Sequence, residues 1–226
     1  MSLCTRGFYM KERNYGLDLL RIVLCLAVIT LHSLSYFGIY DSFPYILYIL
    51  DAANGLFYIV SGYFNLEKEF NSNDDIKKYY KNKFITVLLP FMAFVFVWNV
   101  WDYFYAYHNF NILEILTLFY EKLVDTSING HMWFMYPLFG LLLSTPFLSK
   151  MLHNMDEKEL KTLWYIAIGF NVLSYYLCSN LRLNLSVSAW LLDGWFIYYF
   201  AGYYYHHVIV NERGRLLCLC QERRIY

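Results

Sequence analysis

Arg21-Ile22-Val23-Leu24-Cys25-Leu26-Ala27-Val28-Ile29-Thr30-Leu31-His32 decides the reading of this chain: a fixed cation, ten uncharged residues, and an imidazole. The apolar run continues to Ile39 and is long enough to cross a bilayer as a helix. At about 100° per residue, eleven steps make three turns plus roughly 20°, so Arg21 and His32 share one face. A rise of about 1.5 Å per residue sets them roughly 16 Å apart along the axis. That puts Arg21 near one interface and His32 half-way into the bilayer or beyond. Ionisable groups at such depth are costly and mark functional positions.

The rest of the chain supports a lipid setting. It is 59% hydrophobic and only 16% charged, well below the ordinary charged share of a soluble domain, so its surplus apolar surface must face something other than water. Six windows are long enough to span: 22–39, 43–66, 84–101, 128–149, 162–181 and 183–210. Only the second and sixth hold a charge, Asp51 and Asp193. With the N-terminus in the cytoplasm, all 18 lysines and arginines fall inside except Lys122 and Arg182, a strong positive-inside bias. The net charge of zero thus conceals a sidedness and offers no general basic face for nucleic acid. The expected fold is all-α: a polytopic membrane bundle of about six helices in the plasma (inner) membrane. Residues 1–210 form a single membrane domain, and 211–226 form a basic cytoplasmic tail.

One or two interfacial amphipathic helices are expected beside the spans. In Glu67 to Lys83, Asp74 and Asp75 precede Lys77, Lys78, Lys81 and Lys83, an order that suits the helix dipole on the cytoplasmic side. On the outer side, Ile112, Leu113, Leu116, Phe119, Leu123 and Val124 recur at helical spacing. Many of the 24 tyrosines lie near span ends, as expected of aromatic belts. The first apolar run ends in Tyr40, Asp41 and Ser42 without a small-residue cleavage pattern, so the first helix is expected to stay. Cys4, Cys25, Cys178, Cys218 and Cys220 have neither disulfide nor zinc-ligand spacing, and no metal site is indicated.

Several residues are able to carry chemistry. A neutral His32 imidazole can take a proton from a hydroxyl and return it to a leaving group. Its structural alternative is a bond to a neighbouring helix. Arg21 follows Asp18 by three positions, so a same-face ion pair would support its side chain. Arg21 serves either as an interfacial anchor that snorkels to headgroups or as a phosphate clamp, since guanidinium is a fixed fork of donors. Ser61 and Gly62 permit close helix approach, and Lys81 and Lys83 bring positive charge to the same side as Arg21. His131 and Trp133 lie near the outer interface. Asp51 and Asp193 should face the bundle interior, with Asn54, Asn99, Asp102 or Asn171 as polar neighbours. His206 and His207 read as interfacial.

Together these stretches resemble the acyltransferase-3 family of integral-membrane O-acyltransferases, which modify peptidoglycan, O-antigen and other exported glycans. The residues that carry the resemblance are Gly16 to Arg21 with ten residues before His32, then Phe57 to Phe64 with Ser61-Gly62-Tyr63. Lys81 to Pro90, His131 to Phe134, Thr145-Pro146-Phe147 and Gly202-Tyr203-Tyr204 follow in order. The resemblance implies that His32 is catalytic and that Arg21 supports acyl-CoA binding, with acetyl-CoA the usual donor. It further implies that Ser61, Tyr63, Lys81 and Lys83 border the donor site, while His131 and Trp133 shape the mouth that receives a carbohydrate or lipid-linked glycan. Family members have about ten spans, so this six-span chain is expected to be C-terminally truncated and able to work only with another chain, or to be an inactive fragment. Another class stays open: a small transporter or flippase subunit with Asp51, Asp193 and His32 on a solute path. Acceptor, acyl chain and oligomeric state are left undecided.

Overall fold

The computed structural model describes residues 15–37, 44–124, 132–180 and 194–210, and every regular element among them is helical. In chain order these are α1 (Tyr15–Tyr36), α2 (Pro44–Asn65), α3 (Asn73–Lys83), α4 (Leu89–Tyr107), α5 (Ile112–Val124), α6 (Met135–His153), α7 (Glu157–Asn180) and α8 (Gly194–Tyr204). A π-helical turn, Phe84–Leu88, joins α3 to α4, and a second π-helical stretch, Tyr205–Val210, extends α8. Three helices are long and apolar enough to cross a membrane: Tyr15–Leu34, Tyr45–Asn65 and the continuous Asn73–Tyr107. The chain divides into two compact units, Met1–Phe57 and Tyr58–Tyr226, with the division inside α2.

In the first unit, α1 turns Leu19, Ile22, Val23, Leu26 and Ile29 outward, and its hydroxyls are satisfied locally. Thr30 Oγ1 donates to the Leu26 carbonyl and Ser33 Oγ to that of Ile29, each at 2.8 Å. This back-bonding lets polar side chains sit on a helix in lipid without an orphaned donor.

The second unit has two apolar cores. One gathers Leu66 after α2, Leu152 of α6, Leu160 of α7 and Phe196, Tyr199, Phe200 and Tyr203 of α8. Here α2 and α8 approach backbone to backbone. A Cβ at Gly62 would lie 1.8 Å from the Tyr199 carbonyl oxygen, and one at Gly202 would lie 2.0 Å from that of Ile59. Gly62 and Gly202 therefore set the distance between the two helices. The other core surrounds Phe91 and Val95 of α4, with Phe119 and Leu123 of α5 and Phe139 of α6 against it.

The segment expected as a cytoplasmic surface helix begins at Asn73 rather than Glu67, because Ser72 caps it. Ser72 Oγ accepts from the Asp75 N–H at 3.2 Å, and the Asp75 carboxylate accepts from the Ser72 N–H at 2.9 Å. It is also no separate helix, since it runs through the π-turn into the third span. Pro90 explains the turn. Its ring would collide with the Thr86 carbonyl one α-turn back, and the backbone widens so that the Leu89 N–H reaches the Phe84 carbonyl. The helix expected over 112–124 is present as α5: Ile115 is fully buried, and α5 is tied to α4 by Asn99 Nδ2 donating to the Ile115 carbonyl at 2.9 Å. Lys122 to Asp102, at 3.3 Å, adds an ion pair, and the Tyr103 hydroxyl donates to Glu114.

Candidate active site

The face of α1 that turns away from the exposed aliphatics carries Leu17, Leu20, Arg21, Leu24, Val28, Leu31 and His32. Leu24 and Leu31 on it are buried, and Arg21 and His32 are half-buried on the same stripe. The two basic groups are thus aligned, with His32 one turn before the end of the helix. Arg21 Nη1 lies 3.3 Å from Asp18 Oδ1, one turn back. With 43% of the Arg21 side chain and 30% of the Asp18 side chain exposed, solvent screens the pair and its stabilising effect is small. Its effect is on geometry, since the carboxylate fixes where the guanidinium points.

Asp51 departs from expectation. Asn54 Nδ2 does donate to Asp51 Oδ1 at 2.9 Å, as the spacing suggested, but Asp51 itself is exposed and Asn54 is the buried member. Burying a neutral amide costs far less than burying a carboxylate, and the helix turns accordingly. Asp193, His131 and the tail 211–226 lie outside the described residues.

In the second unit, the Ser61 carbonyl accepts from Asn65 Nδ2 at 2.8 Å, one turn on in the same helix. Tyr63 sits edge-on to His206, ring centres 4.9 Å apart. Lys68 and Lys83 both place their ammonium groups over the Tyr79 ring, 5.2 and 5.5 Å from its centre. Lys81 borders two clefts. One, of about 570 Å³, is the more polar of the two and is also lined by Lys68, Lys78 and Asn82 and by the acids Glu69 and Asp75. The other, of about 520 Å³, has apolar walls and is also bordered by Lys83. Trp133 packs against Trp195 (5.1 Å), which packs against Tyr58 (4.8 Å). The Tyr58 hydroxyl donates to the Phe134 carbonyl at 2.5 Å and fixes the turn that carries Trp133.

A second polar cluster went unread in the sequence. His206 Nδ1 is 3.2 Å from Glu67 Oε2, near enough for an ion pair but off the hydrogen-bond line. The fully buried Tyr203 hydroxyl also has no hydrogen-bond partner. His207 stacks on Tyr203, and His153 meets both rings. His153 Nδ1 is 2.8 Å from the Ser149 carbonyl, and Ser149 Oγ donates to that of Lys68 at 2.5 Å. Only the clustering of aromatic and His residues at 203–207 hinted at this, and nothing local pointed to Glu67. Among the described residues no group of three or more His, Cys, Asp or Glu is placed to hold a metal ion.

Helices of membrane length carry these residues, and the class of protein follows from a comparison with known families. The family profile described as an acyltransferase domain matches residues 14–218, and the chain belongs to the acyltransferase-3 family. No curated protein and no solved structure gives a significant match.

Proposed function

We propose that this protein is a multi-pass O-acyltransferase of the plasma (inner) membrane, with six spans and a cytoplasmic N-terminus. It transfers an acetyl or other small acyl group from acyl-CoA to a hydroxyl of a cell-envelope or exported carbohydrate. The observation that carries this reading is the shared, half-buried stripe of Arg21 and His32 on α1.

In this reaction the acceptor oxygen attacks the thioester carbonyl and a new C–O bond forms. His32 takes the hydroxyl proton, the C–S bond breaks, and the departing CoA sulfur takes a proton up. An alternative course has the acyl group rest on His32 before the alcohol collects it. Arg21, oriented by Asp18, supports the donor with its fork of N–H groups. Lys78 and Lys81 in the polar cleft, with Lys83 beside them, supply positive charge for the donor's phosphates. Ser61 and Tyr63 belong to the donor side through the helix they share. His131 and Trp133 are the acceptor's contacts, and the Trp133–Trp195 pair gives a sugar ring an aromatic surface.

The test is acyl transfer from labelled acetyl-CoA to candidate glycans in membranes containing the full chain. His32→Ala should lower turnover by roughly 10²- to 10⁴-fold, the usual share of a general base, and Arg21→Ala should weaken donor use. Membrane insertion should be normal in both. Full activity in both variants overturns the assignment.

A further inference from the structure

The apolar cleft of about 520 Å³ lies where α3 passes through the π-turn toward α4, facing the middle of α6. Val87 and Leu88 form one wall, and Phe139 and Leu143 form the other. Lys81 and Lys83 border it, and they immediately precede the apolar run that begins at Phe84. Charge and hydrocarbon therefore meet at one edge of a single cleft, with a sharp boundary.

The cleft is held open by defined bonds. The Tyr80 hydroxyl donates to the Leu143 carbonyl at 2.7 Å, and the Tyr79 hydroxyl donates to that of Leu142 at 3.3 Å. The second bond has a cause in the sequence: Pro146 lacks an N–H, so the Leu142 carbonyl four residues back has no helical partner, and Tyr79 supplies one. These contacts fix α3 against α6, while the π-turn widens the backbone beside the gap. Their hydroxyls are committed to carbonyls, and Lys81 and Lys83, the latter with its ammonium over the Tyr79 ring, bring the charge to this edge.

We infer that this cleft holds an anionic phospholipid of the lysine-side leaflet, its phosphate at Lys81 and Lys83 and the start of one acyl tail between Val87 and Leu143. Each half of the pairing needs the other. A free phosphate gains nothing from walls of Val, Leu and Phe, and a zwitterionic lipid brings no net charge to the lysines. The volume lies in the range of small-molecule pockets and suits the upper part of one tail. Lysines near such a surface each favour anionic lipid about fivefold. The inference uses neither His32 nor Arg21, but it shares Lys81 and Lys83 with the donor assignment proposed above, so lipid and donor phosphates meet the same edge.

Native mass spectrometry of the full chain in neutral detergent tests it, with phosphatidylglycerol, phosphatidylcholine of the same tails, and glycerol phosphate as probes. Phosphatidylglycerol should stay bound, and the other two should not. The Lys81→Gln/Lys83→Gln pair should weaken it roughly 25-fold, and Lys81→Arg/Lys83→Arg should restore it. Leu143→Trp, which fills the tail cleft with both lysines present, should also weaken it. His32→Ala should hold the lipid like the unaltered chain, whatever its activity. Equal retention of the two phospholipids, an unaffected Gln pair, or displacement of the lipid by glycerol phosphate would overturn the inference.

Discussion

Gly62 sits so close to Tyr199 that a methyl group on its α-carbon would overlap the Tyr199 carbonyl oxygen, and Gly202 stands in the same relation to Ile59. The joint between α2 and α8 has backbone on both sides, so neither wall can move aside as a flexible side chain would. Gly62→Ala and Gly202→Ala should each destabilise the protein by about 1–3 kcal/mol, the range of overpacked cores. Gly140 and Gly169 have open space where a Cβ would go. Alanine at either should be neutral or gain up to about 1 kcal/mol from helix propensity. Thermal unfolding of the four variants in detergent separates the two groups.

Asp75 carries the clearest pH dependence outside the apolar spans. Its hydrogen bonds to the Ser72 side chain and backbone hold the carboxyl below its ordinary value of 3.8. A carboxyl depressed in the folded state stabilises it fully above the unfolded value, and the contribution is lost as pH falls through the folded value. The start of α3 should therefore hold at neutral pH and loosen below about pH 4. Ser72→Ala should move the Asp75 titration back toward 3.8, read by NMR of the labelled carboxyl. An unmoved titration means that the cap does not hold the charge.

Asp18 is expected to work through Arg21 alone. Asp18→Asn removes the ion pair but leaves both candidate catalytic groups, and it should lower kcat/KM for acyl-CoA by ten- to a hundredfold through misorientation. Arg21→Lys keeps a charge and loses the fork, so it should raise KM for the donor more than it lowers kcat. A donor titration of each variant shows the split.

On the proposed reading, Trp195, packed against Trp133, shares its contact with the acceptor. Trp195→Ala should raise KM for the glycan roughly tenfold, equivalent to about 1.4 kcal/mol, while KM for acyl-CoA stays near its normal value. Matched titrations of the two substrates decide this, and a change confined to the donor contradicts it.

Local signals in the sequence foretold the elements that depend on neighbours. The acid-then-base order of 74–83 marked α3, the spacing of 112–124 marked α5, and the three-residue step from Asp18 to Arg21 marked their pair. Within 67–83 the start of α3 is chosen by Ser72 and Asp75 through a reciprocal cap, which the acid-then-base order of the segment does not fix. Asp51 was assigned inward because a charge in a span suggests burial, yet its neighbour Asn54 takes the covered position. The Glu67–His206 contact was out of reach for another reason: residues so far apart in the chain meet only through the packing of whole helices. The same holds for Trp195, whose partners Tyr58 and Trp133 come from separate elements.

The π-turn at Phe84–Leu88 holds one residue more than an α-turn of the same rise would, and the flanking helices absorb it without a break. Deleting a single residue inside this stretch should relax it to ordinary α-helix and keep the faces of α3 and α4 in phase. The same deletion elsewhere in α4 would rotate everything beyond it by about 100° and expose Phe91 or Val95 to lipid. The third span therefore contains one spare position, and chain-length variation in this helix should be tolerated there and nowhere else along it.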